Sequence, residues 1–321
     1  MIFTTLGKSG IKVSKIGLGV WQASDEWKGN DQQIIKAIAR VHDLGVNLVD
    51  TAEVYGRGHS ERIVGEALKT VGREEFIVAT KVHGAHLRYD ELQRACAASL
   101  KRLGIKQVDL YQVHWPDPWE QISLKHTMSA LEKLYSEGKI RTIGVSNFAV
   151  RDLEEARSHL SRTDIVSNQV RYNLLQREIE EEVLPYCKRE NITILAWSPL
   201  AQGALTGKYG AGRVPKGDVR ESNKLFAPQN MARIEKFVMI LSRIAKRHGT
   251  TVSQIALSWL SSNPLVVPIP GAKDPAQAEE NAKAVNVKLT QDQLNELDLA
   301  SKSTKIDYLP EPEAAELVEA T

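Results

Sequence analysis

At 321 residues the chain can bury a large core, and barrels of alternating strands and helices commonly exceed about 250 residues. Its net charge is +2 and it has no run of basic residues, so we expect neither nucleic acid nor an anionic membrane as a partner. No apolar run approaches the roughly 20 residues that cross a bilayer, and no basic segment followed by an apolar one opens the chain, so we expect a cytoplasmic protein.

Eight short segments rich in Val, Ile and Leu predict β-strands. Their apolar runs are nearly continuous, as in strands that are covered on both faces. In chain order they are residues 16–21, 47–52, 76–82, 109–115, 141–146, 165–170, 192–197 and 265–269.

Amphipathic patterns between these segments predict helices. They cover residues 32–44, 61–70, 91–103, 128–137, 150–161, 178–189, 231–246, 252–260 and 275–284. Capping boxes are indicated by Asp90 with Gln93, Thr251 with Gln254 and Thr290 with Gln293, and helix ends by Gly45, Gly104 and Gly138.

Strands that alternate with helices at about 30-residue spacing predict a parallel sheet. Eight such units are the number that closes a (β/α)8 TIM barrel, with long loops at its C-terminal face. A doubly wound open sheet is the alternative. It is disfavoured because the segment from Gly17 to Gln22 lacks the third glycine of a dinucleotide fingerprint.

Three segments fall outside the repeat. Residues 1–14 read as an N-terminal hairpin, with strands at 2–6 and 11–14, that could close the barrel floor. Residues 201–230 form a long loop without periodicity, and loops of that length in compact domains are usually functional or disordered. Residues 301–321 are a C-terminal tail rich in Glu and Pro. We expect one domain spanning residues 1–321.

Polar residues at the C-terminal ends of barrel strands line the active site. The second strand carries Asp50, with Tyr55 five residues further on; the third ends near Lys81 and the fourth near His114. A lysine in an apolar strand needs a charged partner because burying it alone is costly. Asp50 on the neighbouring strand is the candidate for that partner.

These four residues suit the protonation of an oxygen atom. A cation beside a phenol favours phenolate, so Lys81 should lower the pKa of Tyr55 and prepare it to give a proton to a carbonyl oxygen. His114 can donate a hydrogen bond to the same oxygen. No side chain here supplies hydride, which implies a nicotinamide cofactor.

Each residue alone also has a simpler interpretation. Lys81 and Asp50 could be a structural ion pair, Tyr55 an ordinary surface tyrosine, and His114 a hydrogen-bonded core histidine. The functional interpretation depends on their meeting at one end of consecutive strands.

The sequence resembles the aldo-keto reductases over nearly its whole length. The resemblance rests on residues 50–56 (Asp-Thr-Ala-Glu-Val-Tyr-Gly) followed by Ser60, Glu61 and Gly65, and on residues 79–81, 110–115, 144–148 and 268–272. It implies a catalytic tetrad of Asp50, Tyr55, Lys81 and His114, with Tyr55 as proton donor. It also implies an extended NADPH across the barrel mouth.

The resemblance further implies three groups of cofactor contacts. Ser146, Asn147 and Gln169 would hold the nicotinamide carboxamide, and Trp197 would stack on the nicotinamide ring. The pyrophosphate would follow Ser198, Leu200, Gln202, Gly203, Leu205 and Lys208. The adenosine end would meet Gly271, Ala272, Lys273, Gln277, Glu280 and Asn281.

One position departs from the family's pattern and bears on the choice of cofactor. Gln277 stands where many members carry an arginine that faces the 2′-phosphate. Lys273 could supply the positive charge instead, although a lysine is a less directional phosphate partner than an arginine. NADPH is therefore favoured, with NADH possible.

Aromatic residues near the strand ends indicate an apolar substrate pocket. Trp21, Trp115 and Trp119 follow the first and fourth strands. His83 and His86 lack a third ligand at credible spacing, so no metal site is expected.

Three functions fit these observations. The first is reduction of small aldehydes or ketones with NADPH. The second is an NADPH-binding, redox-sensing subunit with little turnover, because the family extends to potassium-channel β subunits. The third is a Schiff-base aldolase that uses Lys81, which requires a neutral lysine. The sequence carries no signal for an oligomeric state.

Overall fold

A computed structural model describes residues 1–27, 29–117, 121–210 and 212–307. Eight parallel strands form its main sheet in the order in which they occur along the chain. They are β3 (Leu18–Gly19), β4 (Leu48–Asp50), β5 (Ile77–Val82), β6 (Val108–Val113), β7 (Ile140–Ser146), β8 (Ile165–Arg171), β9 (Thr193–Trp197) and β10 (Val266–Pro268).

Hydrogen bonds between its first and last strands close this sheet into a barrel. The Gly17 N–H donates to the Pro268 carbonyl at 2.9 Å, and the Gly19 N–H donates to the Pro270 carbonyl at 3.1 Å. The prediction of a (β/α)8 barrel is therefore confirmed, and the open-sheet alternative is wrong.

Helices cover the outside of the barrel. They are α1 (Asp31–Asp43), α2 (His59–Val71), α3 (Tyr89–Leu103), α4 (Leu124–Ser136), α5 (Val150–Ser158), α6 (Val183–Glu190), α7 (Pro228–His248), α8 (Val252–Ser262), α9 (Pro275–Ala282) and α10 (Gln291–Ser303). The larger apolar core lies between these helices and the sheet. Among the described residues, no helix combines the length and apolar character needed to span a membrane.

The N-terminal hairpin forms the barrel floor, as expected. Its strands are β1 (Phe3–Thr5) and β2 (Lys12–Ser14). Leu6, Ile11 and Val13 pack against a layer of side chains inside the barrel that includes Leu48 and Leu110. The lower half of the barrel is therefore filled with apolar side chains, and polar chemistry is confined to its upper end.

Several predicted boundaries differ from the structure for local reasons. The helix predicted at 178–189 begins at Val183, after a separate 3-10 turn, because Pro185 lacks an N–H and fits only in a first helical turn. The capping box at Asp90 is wrong, since Asp90 lies within α3 and Arg88 is the N-cap. The boxes at Thr251 and Thr290 are confirmed.

The long loop and the tail are shorter than expected. The loop contains 3-10 helices at Ala201–Thr206 and Lys224–Phe226 and ends at residue 227, because α7 begins with Pro228 at a position that suits proline. Residues 301–303 of the predicted tail belong to α10. Residues 308–321 lie outside the described part of the chain.

Gly7 offers a test of the barrel floor. It has φ of +49°, and a Cβ added there would lie 2.4 Å from the Val166 carbonyl oxygen. We expect Gly7→Ala to lower the free energy of unfolding by about 3 kcal/mol, since backbone strain and a backbone clash combine. Urea unfolding followed by circular dichroism measures this change.

Gly10 is the matched control in the same turn. It has φ of +74°, but no atom lies within 4 Å of an added Cβ. Gly10→Ala should therefore cost only the backbone strain, about 1 kcal/mol. Equal losses in the two variants would contradict the described contact between the hairpin and β8.

Candidate active site

Lys81 and Asp50 form an ion pair inside the upper barrel. The Lys81 side chain is 0% exposed and the Asp50 side chain 3%, and Lys81 Nζ lies 2.6 Å from Asp50 Oδ1. Lys81 Nζ also donates to the Thr51 carbonyl at 2.9 Å and to Tyr55 Oη at 3.2 Å. All three protons of the ammonium are therefore used.

These contacts keep Lys81 charged. Burial lowers the pKa of Lys81, but Asp50 and then Tyr55 act in the opposite direction, so the pKa is raised overall. The predicted partnership of Lys81 and Asp50 is present in the geometry.

Two glutamine amides hold the other oxygen of Asp50. Gln112 Nε2 donates to Asp50 Oδ2 at 3.0 Å, and Gln169 Nε2 donates to the same atom at 2.8 Å. The two amides also contact each other, with Gln169 Nε2 3.3 Å from Gln112 Oε1. Both carboxylate oxygens of Asp50 are thus fixed by partners from three other strands, β5, β6 and β8.

Tyr55 lies on a tight turn after β4, where Gly56 and Arg57 have φ of +55° and +52°. Burial raises the pKa of Tyr55, and although Lys81 lowers it, the net direction is upward. The expectation of a lowered pKa is therefore wrong, because burial of the phenol outweighs the nearby cation. Tyr55 stays protonated at neutral pH, and its hydroxyl proton is free because Oη accepts from Lys81.

His114 faces the Tyr55 ring edge-on, with 5.7 Å between ring centroids. Burial lowers the pKa of His114 well below its ordinary value, and Lys81 and His83 add to this effect. Its Nδ1 atom is buried without a hydrogen-bond partner among the described residues. His114 is therefore a neutral imidazole next to the phenol.

An aromatic wall borders Tyr55. The Trp21 ring stacks on the Tyr55 ring at 6.0 Å, and Trp27 meets Trp21 edge-on at 5.2 Å. Trp115 follows β6, and its backbone carbonyl lies near Gly84. Trp119 lies outside the described residues.

The residues expected at the nicotinamide carboxamide lie together beside the tetrad. Ser146 Oγ donates to the Gln169 carbonyl at 2.7 Å. Asn147 Nδ2 donates to the His114 carbonyl at 3.0 Å, and Asn147 Oδ1 accepts from Trp197 Nε1 at 3.0 Å. This chain of contacts links Trp197 through Asn147 to His114.

The backbone after β9 is strained. Ser198, Ala201 and Gln202 have φ of +46°, +48° and +52°, and strain of this kind clusters at ligand-binding segments. Of the residues expected at the pyrophosphate, Gly203 has φ of +102°, Leu205 is fully buried, and Leu200 and Lys208 flank the 3-10 turn. The Leu205 side chain lies in the core, so only its backbone is available to a ligand.

The loop after this segment folds onto the residues after β3. The Val219 N–H donates to the Glu26 carbonyl at 3.2 Å, and the Arg220 guanidinium lies over the Trp27 ring at 5.1 Å. Arg220 also donates to the Gln202 carbonyl at 3.1 Å. The long loop is therefore joined both to the residues after β3 and to the segment after β9.

The residues expected at the adenosine end surround the start of α9. Lys273 Nζ donates to the Trp27 carbonyl at 2.9 Å and lies 4.0 Å from Asp218 Oδ2. Gln277 Oε1 accepts from the Lys273 N–H, and Asn281 Nδ2 donates to the Gly271 carbonyl. Ala272 is buried, and Glu280 accepts from the Thr251 hydroxyl, so its carboxylate is already engaged.

Unpaired polar atoms at this end of the barrel fit an extended polar cofactor. Trp27 Nε1 and Gln22 Oε1 are buried without a hydrogen-bond partner among the described residues. Such atoms usually have a partner in the functional protein. They lie next to Lys273 and Gly271 respectively, two of the residues expected at the adenosine end.

Sequence reasoning missed Gln112, Trp27 and Arg220. Gln112 shares a strand face with His114, so the period-2 alternation of side chains could have revealed it. Trp27 and Arg220 meet through loops that have no periodicity, so no comparable signal exists for them.

The two histidines after β5 have protein partners. His83 Nδ1 accepts from the Ala85 N–H, and His86 Nδ1 lies 3.0 Å from Glu53 Oε1. Within the described ranges, no group of three potential ligands is arranged around a metal position.

Asp50→Asn tests the buried ion pair. It leaves the Lys81 charge without its partner, and we expect a loss of about 3 kcal/mol in the free energy of unfolding at pH 7. Loss of the partner lowers the folded-state pKa of Lys81 below its unfolded value, so the deficit should shrink as pH rises towards 10. Denaturant titrations at several pH values measure this.

Glu137→Gln is the control for an exposed ion pair. Glu137 contacts Lys133 and Lys139 at the surface. Its loss should leave the free energy of unfolding unchanged within measurement error. A deficit in Asp50→Asn that does not depend on pH would contradict a buried, charged Lys81.

The model of the aldo/keto reductase family matches residues 15–302. The NADH-specific methylglyoxal reductase of Escherichia coli is 35% identical over 309 residues, which cover 89% of this chain and 94% of that protein. A putative voltage-gated potassium channel subunit beta of Schizosaccharomyces pombe is 34% identical over 321 residues, or 92% of each chain.

A solved structure of an aldo/keto reductase is also similar to this chain. The aldo/keto reductase from Klebsiella pneumoniae, in complex with NADP and acetate, is 32% identical. It aligns with a TM-score of 0.76 over 96% of this chain and 99% of its own. The resemblance noted in the sequence is thus confirmed, and the chain belongs to the aldo/keto reductase family of oxidoreductases.

Proposed function

We propose that this protein reduces small aldehydes and ketones to alcohols with NADPH, and that Tyr55 is the general acid. The observation that carries the proposal is the contact of Tyr55 Oη with Lys81 Nζ at 3.2 Å, beside the buried Asp50. A bound nicotinamide cofactor supplies the hydride. The side chains supply the proton and the binding site for the carbonyl oxygen.

Tyr55 is well suited to give a proton to an oxygen. Its raised pKa keeps the phenol protonated at neutral pH, and its proton is not used in the contact with Lys81. As negative charge develops on the phenol oxygen during transfer, the Lys81 ammonium stabilises it. Asp50 holds that ammonium in place and keeps it charged.

His114 orients the substrate. As a neutral imidazole it carries one N–H, which can donate a hydrogen bond to the carbonyl oxygen that Tyr55 protonates. Two donors on one oxygen place the carbonyl carbon in a fixed position. His114 is therefore a positioning donor, and Tyr55 remains the acid.

The wall formed by Trp21 and Trp27 favours a substrate with an apolar part next to its carbonyl group. Methylglyoxal belongs in the test panel because a relative is named as its reductase. Trp115 and Trp119 remain proposed contributors to this pocket.

Positive charge near α9 supports NADPH. Lys273 and Arg220 both lie over the Trp27 ring and both face Asp218, so two cations and one carboxylate leave a net positive charge at this end. A solved neighbour holds NADP, whereas one relative is NADH-specific, so both cofactors should be assayed. The carboxamide would lie at Ser146, Asn147 and Gln169 with Trp197 on the nicotinamide ring, the pyrophosphate along residues between 198 and 208, and the adenosine end at residues between 271 and 281.

Of the two other functions considered, the aldolase fits the site less well. A Schiff-base aldolase needs a neutral lysine, but Asp50 and Tyr55 raise the pKa of Lys81. A redox-sensing subunit would bind NADPH tightly with negligible turnover.

Two free, buried thiols are in keeping with the cytoplasm as the place of action.

The direct test mixes the protein with NADPH or NADH and a panel of aromatic aldehydes, ketones and methylglyoxal. We expect loss of cofactor absorbance and formation of the alcohol. Tight NADPH binding without steady-state turnover on any compound would favour the redox-sensing subunit instead.

Tyr55→Phe tests the general acid. We expect kcat to fall by at least about 100-fold, because the transferred proton is lost while the ring remains. The Kd of NADPH, measured by fluorescence quenching, should stay within about threefold of the original value.

Tyr111→Phe is the matched control. Tyr111 is also a buried tyrosine, and its hydroxyl has no hydrogen-bond partner among the described residues. It faces the outer core, so kcat should not change. A similar loss of kcat in both variants would count against Tyr55 as the acid.

The pH dependence of kcat follows from the two shifted groups. Reduction needs Tyr55 protonated, with a pKa above 10.0, and His114 neutral, with a pKa below 6.5. The profile should be flat from about pH 6.5 to about pH 10 and fall at higher pH. A sigmoidal step in kcat near pH 7 would contradict this assignment.

A further inference from the structure

Gln112 is an amide inside the barrel that the tetrad does not include. It is 0% exposed and lies in β6, next to Lys81 of β5 in the sheet register. A buried amide is costly unless its hydrogen bonds are satisfied. Its Nε2 donates to Asp50 and its Oε1 accepts from Gln169, so its position is determined by the catalytic carboxylate.

The neighbouring strand makes room for this side chain. Gly144 of β7 is the register partner of Gln112. A Cβ added at Gly144 would lie 3.0 Å from Gln112 Cγ and 2.6 Å from Ser167 Oγ. The absence of a side chain at Gly144 therefore lets the Gln112 amide sit across the barrel and meet Asp50.

An ionised carboxylate only accepts hydrogen bonds, so both amides must present their NH2 groups to Asp50 Oδ2. With Oδ2 held on one side, Oδ1 is directed at Lys81 Nζ, 2.6 Å away. The carboxylate cannot rotate without breaking two charge-assisted hydrogen bonds, which are the stronger kind.

We propose that Gln112 is a positioning residue for the reaction, which acts by holding Asp50 so that Lys81 stays directed at Tyr55. Gln169 is its partner, and through its second role near the carboxamide it connects Asp50 to the cofactor site. This inference rests on the proposed function, because its effect is measured on carbonyl reduction.

The electrostatics support this role. Asp50 raises the pKa of Tyr55 while Lys81 lowers it, so the two charges act against each other at the phenol. Amide N–H groups draw negative charge towards Oδ2 and away from the phenol. If the Asp50 carboxylate lost its hydrogen bond from Gln112, the opposing effects of Asp50 and Lys81 on the pKa of Tyr55 would change.

Gln112→Leu removes the donor with little change in size. We expect kcat to fall about tenfold or more, the loss typical of a hydrogen bond to a charged group. The Kd of NADPH should change less than twofold, because Gln112 is not expected to touch the cofactor. Gln169→Leu should lower kcat and also weaken NADPH binding.

A double-mutant cycle separates this role from general damage to the barrel. If Gln112 acts through Asp50, then Gln112→Leu added to Asp50→Asn should have no further effect on kcat. A loss by the same factor in both backgrounds would overturn the proposal. So would an unchanged kcat in Gln112→Leu alone.

Gln112→Glu provides a second test in case the Gln112→Leu variant does not fold. A carboxyl group buried beside Asp50 should have a raised pKa, because two like charges disfavour each other. While protonated it can donate to Asp50, so kcat should be near the original value at low pH and fall as pH rises through the new pKa. The absence of this additional pH dependence would contradict the proposal.

Tyr111→Phe, one residue earlier in the same strand, is the control for changes in β6. It should keep both kcat and the pH profile of the unmodified protein. Turnover by the unmodified protein reports on the proposed function, whereas the ratio of variant to unmodified rates reports on Gln112. The two hypotheses therefore fail in distinguishable ways.

Discussion

The burial of one ammonium group determines the arrangement of the upper barrel. Lys81 has no contact with solvent, and a bare charge there would cost several kcal/mol. Asp50, the Thr51 carbonyl and Tyr55 satisfy its three protons, and two amides satisfy the remaining oxygen of Asp50. Residues from four strands thus converge, because each buried polar group requires a hydrogen-bond partner and a residue of another strand supplies it. Tyr55, which lies on a turn, meets this set through its oxygen atom and through its ring, over which the Lys81 ammonium lies at 4.8 Å from the centroid.

Much of the fold could be predicted from the sequence. The strands are buried on both faces, so their apolar runs locate them to within a few residues, and their number points to a closed barrel. The ion pair could be predicted as well, because a lysine in an apolar strand requires a partner at the same height. Asp50 meets this condition on the adjacent strand. Both predictions succeed for the same reason. Burying a polar or charged group without a partner is costly in any protein, so apolar runs and charge partners can be inferred from the sequence alone.

Most of the remaining features depend on contacts between segments far apart in sequence, which composition and spacing do not encode. Alternation could place Gln112 on the same strand face as His114, but its contacts with Asp50 and Gln169 are formed only when the barrel closes. The contact of Arg220 with Trp27 joins two irregular loops that are far apart in sequence. The direction of the Tyr55 pKa was predicted from its charged neighbour alone, whereas the degree of burial decides it. Pro185 moved a helix start, an effect that the local sequence did contain.

The hairpin at the barrel floor has a practical consequence. Met1 lies beside Gly45, at the end of the barrel opposite to the tetrad, and is partly exposed. A fusion partner, fluorescent label or surface linker joined to residue 1 would therefore extend away from the barrel mouth. Molecules immobilised in this way would all present the mouth to the surrounding solution. Attachment at this end thus keeps the barrel mouth on the side away from the support.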